Sequence, residues 1–370
     1  MIAFDKFAKG FVIISIVILG LIAGFNYWID PAGIFNNRKV DLAISYLVDG
    51  KCSTFVSNFN ERLLKKELIL QTKEKQETIV LGSSRTMGIR AEFDKDKNSF
   101  GNYSVSGANF NDDIALFSVY IDKYNSYPQK IILAVEPWDL NKNRSSDAWK
   151  YIEKDFWAGL EKVKNINEIH DYNLIRMIDL LKFSINKGKA LISISYFKEA
   201  LKHYLKNSIN SSEELPLPVN FEYNKKDKIL PDGTLLRSYV LNNLSKGETD
   251  KNAKEYINRK DIYELKSFSK LNNDDIINFE NFINYLKKNK VEIILYFPPY
   301  HPLVHDYIMK TNKYKNVIEA EKYFLSIAVK ENIKTIGAYN PNICGVNEND
   351  FFDGMHLKDS GFEKVFKNKF

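Results

Sequence analysis

The chain has 370 residues, 44% of them hydrophobic and 27% charged, with 25 Phe and 21 Tyr. That balance excludes a mainly disordered chain and gives apolar surface for one large domain or two ordinary ones. The 53 basic and 47 acidic residues leave a net charge of +6 on scattered lysines. This suits a solvated surface and not a nucleic-acid groove, so no nucleic-acid partner is expected. Only two cysteines, Cys52 and Cys344, are present, which excludes a Cys-rich zinc module and a disulfide-dense scaffold but leaves one disulfide open.

From Phe11 to Trp28 the chain reads FVIISIVILGLIAGFNYW, without a charge. A helix of about 18 residues rises about 27 Å, close to the hydrocarbon thickness of a bilayer. Lys6 and Lys9 precede the run, Tyr27 and Trp28 close it as interfacial aromatics, and Asp30-Pro31 stops it. Residues 1–30 therefore read as a cytoplasmic tip and a transmembrane anchor, with the lipid bilayer as first partner. A cleaved signal peptide is the alternative, but Phe-Asn-Tyr-Trp is a poor cleavage site. The flanking lysines put the N-terminus in the cytoplasm and all that follows Asp30 outside; Arg38 and Lys39 weaken that bias without reversing it.

Residues 31–76 read as a juxtamembrane connector ending in a helix, with apolar residues at 63, 64, 68 and 70. From 77 onward short apolar runs alternate with helical patterns. Strands are expected at 78–81, 103–106, 130–136, 291–297 and 332–339. Helices are expected at 110–124 (capped by Asn111 or Asp112), 274–290 and 318–331, and in a short segment from Asp359. This alternation predicts an α/β domain over 77–370, with a parallel sheet covered by helices on both faces and ligands beyond the carboxyl ends of the strands. Between about 142 and 273 the pattern changes. Helical segments at 149–163, 171–187 and 194–207 precede a hairpin that turns at Pro231-Asp232-Gly233. This stretch is expected to be a helical insertion over the ligand end, a cap or a partner-binding subdomain.

Two motifs could carry chemistry. In Gly82-Ser83-Ser84-Arg85 a serine on a sharp strand-to-helix turn would offer its hydroxyl beside backbone N–H groups. A helix N-cap serine is the plainer reading. In Asp353-Gly354-Met355-His356 a carboxylate three residues before an imidazole can fix its tautomer and free the other nitrogen to accept a proton. The plainer reading there is a surface loop with a helix cap. Arg85 could bind an anionic substrate group or form a structural ion pair. His301, after the fourth strand, could line the cleft or act as a rival base. His305 and Asp306 are expected on the following helix, and His170 and His203 at the surface of the insertion. No cluster has metal-ligand spacing and no Gly-rich phosphate loop is present, so neither metal nor cofactor is expected.

Together these motifs resemble the SGNH (GDSL-like) hydrolase family over about 77–141 and 290–368. Gly82-Ser83-Ser84 is similar to its nucleophile block in the G-S-S form of membrane-anchored relatives, such as D-alanine transfer and alginate-type acetylation proteins. The resemblance implies a three-layer, flavodoxin-like α/β fold, with Ser84 as nucleophile, His356 as base and Asp353 as orienting partner. It also implies Gly107 as an oxyanion-hole donor beside the Ser84 N–H. The third block departs from the family's G-x-N-D: Val135-Glu136-Pro137-Trp138-Asp139-Leu140-Asn141 offers Asn141 out of register, with Asn109 as rival. Arg85, Asn109 and His301 are the expected substrate contacts. The implied activity is an extracytoplasmic serine esterase or O-acyltransferase acting on a cell-envelope or exported glycan, with an integral-membrane acyltransferase as a possible partner. The alternative is an inactive assembly or glycan-binding component with the same fold.

Overall fold

The computed structural model describes all residues except 1, 32, 57–58, 97, 145–146, 165–171, 211–214, 260, 267 and 368–369; His170 lies outside the described residues. Helices are α1 Ile2–Ile29, α2 Arg38–Val48, α3 Glu61–Gln71, α4 Phe110–Tyr124, α5 Glu153–Val163, α6 Tyr172–Leu191, α7 Ile194–Asn210, α8 Tyr239–Asn242, α9 Lys246–Asn258, α10 Asn273–Lys288, α11 Pro302–Lys310, α12 Lys315–Lys330, α13 Pro341–Cys344 and α14 Asp359–Phe366. Strands are β1 Cys52–Thr54, β2 Thr78–Leu81, β3 Phe100–Asn102, β4 Lys130–Ala134, β5 Pro218–Val219, β6 Lys228–Ile229, β7 Leu235–Leu236, β8 Glu292–Phe297 and β9 Lys334–Gly337. The chain divides into two compact units, Met1–Leu42 with Val56–Asn60 and Asn167–Pro216, and Ala43–Phe55 with Glu61–Ile166 and Leu217–Phe370.

In the first unit, Phe7–Ile29 of α1 has a mean hydropathy of 2.3 and is long and apolar enough to cross a membrane. The helix ends where the sequence places its stop. The Asp30 carboxylate accepts the N–H groups of Ile34, Phe35 and Asn36, all at 2.8 Å, and so caps the turn that follows.

The second unit is a mixed α/β body. Its main sheet is parallel throughout, in the order β3-β2-β4-β8-β9. The central strands are short and, apart from Glu292 at the start of β8, buried, with apolar runs at Ile79–Leu81, Ile131–Ala134 and Ile293–Phe297. Val80, Ile132, Ile294 and Ile336 form one core with Phe351, Leu357, Phe362 and Phe366 from the C-terminal segment. Ring contacts tie α4, α10 and α12 together: Phe110 stacks on Phe279 at 4.9 Å, and Phe279 meets Phe324 at 5.1 Å. A small antiparallel sheet has the order β5-β1-β6-β7, its β6–β7 hairpin turning at the expected Pro-Asp-Gly. Both cysteines are buried free thiols.

Three expectations are corrected. The second strand is Phe100–Asn102, because Phe100, Gly101 and Asn102 pair with Thr78, Ile79 and Val80. Residues 103–106 form a loop, in which the Val105 N–H donates to the Gly82 carbonyl at 3.0 Å. The cap of α4 is Asn109: its side chain accepts the Asn111 N–H while the Asp112 carboxylate accepts the Asn109 N–H. The 142–273 stretch is not one body, because it is divided between the two units. Helix α5 packs on α4, where Gly159 lets the two backbones approach: a Cβ there would lie 2.8 Å from the Ile114 carbonyl oxygen. Helices α6 and α7 belong to the first unit, 217–236 supplies three strands of the small sheet, and within the second unit 246–265 reaches the candidate site, as does Arg237, which lies 5.0 Å from the Phe352 ring centre.

Candidate active site

Strand β2 ends at Leu81, and the chain then turns sharply at Gly82 with φ +143°. A Cβ at Gly82 would stand 2.5 Å from the Ala134 Cβ, so the turn needs glycine. The next side chains hold the turn from below. Ser83 Oγ donates to Glu136 Oε1 at 2.5 Å and accepts the Arg85 N–H at 3.1 Å. Arg85 is buried, paired with Glu136 Oε2 at 2.7 Å, and donates to the carbonyls of Met355, Pro298 and Pro299. Burial pushes the Glu136 carboxyl up, and the Arg85 charge with the Ser83 hydroxyl pulls it back. Ser84 is left half-buried, facing away from this network.

Ser84 Oγ lies 2.8 Å from His356 Nε2, across 272 positions of sequence. His356 Nδ1 is 2.8 Å from Asp353 Oδ2 and 3.0 Å from Oδ1. Asp353 Oδ1 also accepts the N–H groups of Met355 and His356, each at 2.9 Å, and Tyr256 on α9 donates its hydroxyl to Oδ2 at 3.1 Å. Burial would raise the Asp353 pKa, but the imidazole and these hydrogen bonds outweigh it and hold the carboxyl down to about 2. Phe352 stacks parallel to the His356 ring at 5.3 Å and fixes its plane.

The loop that follows β3 is tied to the Gly82 turn through the Val105 N–H and offers mostly backbone groups. Gly107 has φ +61°, and a Cβ there would stand 2.3 Å from the Tyr263 hydroxyl. Ser106 gives both its N–H and its hydroxyl to the Glu61 carboxylate, so the first turn of α3 fastens this loop. Trp138 Nε1 donates to the Ala108 carbonyl at 3.2 Å. The N–H groups of Ser84 and Gly107 have no acceptor among the described residues.

The structure thus brings Ser84, His356 and Asp353 into one site, and the Val105 N–H ties the loop that carries Gly107 to the Gly82 turn. Three expected roles are corrected. Asn141 cannot serve an oxyanion: its buried amide donates to the Glu264 and Leu265 carbonyls at 3.0 and 2.9 Å. Arg85 cannot clamp a substrate, because it is buried beneath the turn with its guanidinium held by Glu136 and the carbonyls of Met355, Pro298 and Pro299. His301 is no cleft contact: it is buried, its Nδ1 accepts the Leu303 N–H as the cap of α11, and its Nε2 lies 3.5 Å from Asp250 Oδ1. Burial lowers its pKa. Asn109 spends its carbonyl oxygen on the helix cap, while its buried Nδ2 has no partner among the described residues. His305 and Asp306 lie on α11, as expected.

Glu136, Phe352, Tyr256 and Tyr263 escaped the sequence reading. A charged residue ending a buried apolar strand was a visible signal for Glu136. The two tyrosines carry none, because only the path of 246–265 brings them here. Among the described residues no group of three or more His, Cys, Asp or Glu could hold a metal ion. No protein-family model and no curated protein matches this chain. The chemistry must therefore be argued from the site. A hydroxyl, an imidazole and a carboxylate in line can pass the hydroxyl proton to Nε2 while the carboxylate holds Nδ1–H and stabilises the imidazolium.

Proposed function

We propose that this chain is an SGNH-like serine acyl-transfer enzyme, an esterase or an O-acyltransferase, anchored in a membrane by α1. The observation that carries the reading is the 2.8 Å contact between Ser84 Oγ and His356 Nε2, backed by Asp353. His356 takes the Ser84 proton as Oγ attacks an ester carbonyl. The N–H groups of Ser84 and Gly107 receive the tetrahedral oxyanion. His356 then gives the proton to the leaving alcohol, and the acyl-serine passes its acyl group to water or to a sugar hydroxyl. A three-layer arrangement of helices about the sheet fits this class. With the N-terminus in the cytoplasm, the second unit lies outside, where its substrate would be a cell-envelope or exported glycan. Tethering raises its effective concentration toward an integral-membrane acyl donor.

The test is turnover of p-nitrophenyl acetate together with labelling by a fluorophosphonate. Ser84→Ala should abolish both, and His356→Ala should block labelling with the fold intact. The engaged Asn141 favours a second reading, a non-catalytic assembly or glycan-binding component. A wild-type chain that neither turns over the ester nor takes the label would establish that second reading.

A further inference from the structure

We infer that the α6–α7 hairpin is a membrane-surface element, lying in the lipid–water boundary at the end of α1 with its apolar stripe toward the acyl chains. The inference rests on the reading of α1 as a membrane anchor. Three observations within the first unit carry it.

The hairpin is fastened at one level of α1. Asn26 Nδ2 donates to the carbonyls of Leu191 at 2.7 Å and Ser193 at 3.2 Å, at the turn between the two helices. Tyr196 donates its hydroxyl to Asp30 Oδ1 at 2.7 Å. Phe25 meets both Phe197, at 5.2 Å, and Tyr204, at 6.0 Å. Residues 196–204 span about 12 Å of helix, yet Tyr196, Phe197 and Tyr204 meet Asp30, Phe25 and Trp28 at the end of α1, and Tyr196 also meets Phe35 just beyond it. Helix α7 therefore crosses the end of α1 and does not run along it. The body of α1 stays uncovered, with Phe11 64% and Leu21 70% exposed.

The crossing level is the interface level of the span. Tyr27 and Trp28 are exposed there, and such aromatics settle at the headgroup boundary. An element that crosses α1 at this height spreads in the plane of the bilayer surface.

The hairpin carries the composition that this plane selects. On α6, Met177, Leu181 and Ile185 stand four residues apart on one face and are all more than half exposed. On α7, Ile194, Leu201 and Leu205 form a second exposed stripe. Lys189, Lys198 and Lys202 are exposed beside these stripes. Apolar stripes edged by lysines bind a lipid surface, where the lysine stems lie along the apolar boundary and the ammonium groups reach anionic headgroups.

The test uses the full chain in vesicles of phosphatidylcholine and phosphatidylglycerol. A single bimane probe is placed in turn at Leu181→Cys, Ile185→Cys and Leu201→Cys; the native cysteines are buried. Reference probes are Ile18→Cys within α1 and Lys251→Cys on exposed α9. The expected result is that acyl-brominated lipid quenches the three hairpin probes as it does Ile18→Cys. Aqueous iodide should quench them several-fold less than Lys251→Cys. If Ile18→Cys is lipid-quenched while the hairpin probes answer to iodide like Lys251→Cys, the inference is wrong and anchoring stands; the stripes then await a protein partner. If Ile18→Cys is not lipid-quenched either, anchoring fails and the inference falls with it.

Discussion

On the His356 flank of Ser84, side chains hold side chains: Tyr256 and two backbone N–H groups hold Asp353, Asp353 holds the imidazole, and Phe352 fixes the ring plane. On the Gly107 flank the groups proposed to act are backbone amides, and the nearby side chains are scaffolding. Asn141 clamps the 264–265 carbonyls, Glu61 clamps Ser106, and Trp138 clamps Ala108. The first flank is thus open to single-atom replacements, whereas the second is open to an added carbon. The difference also shows where a chain can drift. An amide donor bound to an inserted segment is lost to chemistry, yet the N–H groups remain because every residue there brings one.

Several changes would break or sharpen this contrast. On the imidazole flank, Asp353→Asn keeps the shape but lets Nδ1 lose its acceptor. Turnover of p-nitrophenyl acetate should fall by about 10⁴. The same carboxyl sets a pH signature. Its folded pKa of about 2 lies below the ordinary 3.8. Its stabilisation, roughly 2 kcal/mol, is therefore full above about pH 4 and is lost as pH falls toward 2. Chemical denaturation between pH 2 and 5 should show this slope in the wild type and a flatter one in Asp353→Asn.

Beneath both flanks, Glu136→Gln strands the buried Arg85 charge. Unfolding should become easier by about 3–5 kcal/mol, read from denaturant midpoints; an unchanged midpoint would mean that the pair does not hold the turn. On the backbone flank, Gly107→Ala meets the Tyr263 hydroxyl and a left-handed φ. Displacing one oxyanion donor should lower kcat by about 10²–10³ with KM little changed. The smallest effect is expected from Tyr256→Phe, which removes one hydrogen bond to Asp353, worth about 1 kcal/mol. A several-fold fall in kcat would fit. A fall as large as that of Asp353→Asn would mean that the two flanks do not differ in the way described.

The legible parts of the molecule are those whose cause is local. The apolar run of α1, the short buried strands β2, β4 and β8, and helix α4 follow from patterns a few residues long. So did Ser84, Asp353 and His356, each marked by its immediate neighbours. Strand β3, the second of the expected strands, was displaced because Phe100-Gly101-Asn102 has no alternation to advertise it, whereas Tyr103 and Val105 do. Arg85 and His301 were misjudged because exposure and charge pairing depend on what packs around a residue.

The amino-acid sequence by itself determined a membrane-length apolar helix, an alternating α/β body and the motifs that carry Ser84, Asp353 and His356. Tertiary structure alone decided that Ser84 and His356 meet, that Asn141 serves the scaffold, and that 246–265 brings Tyr256 and Tyr263 to the site while α6 and α7 join α1. The reason is physical. Periodicity and turn chemistry act within a few residues, whereas a hydrogen bond between positions 272 apart exists only once the sheet has brought its strand ends together.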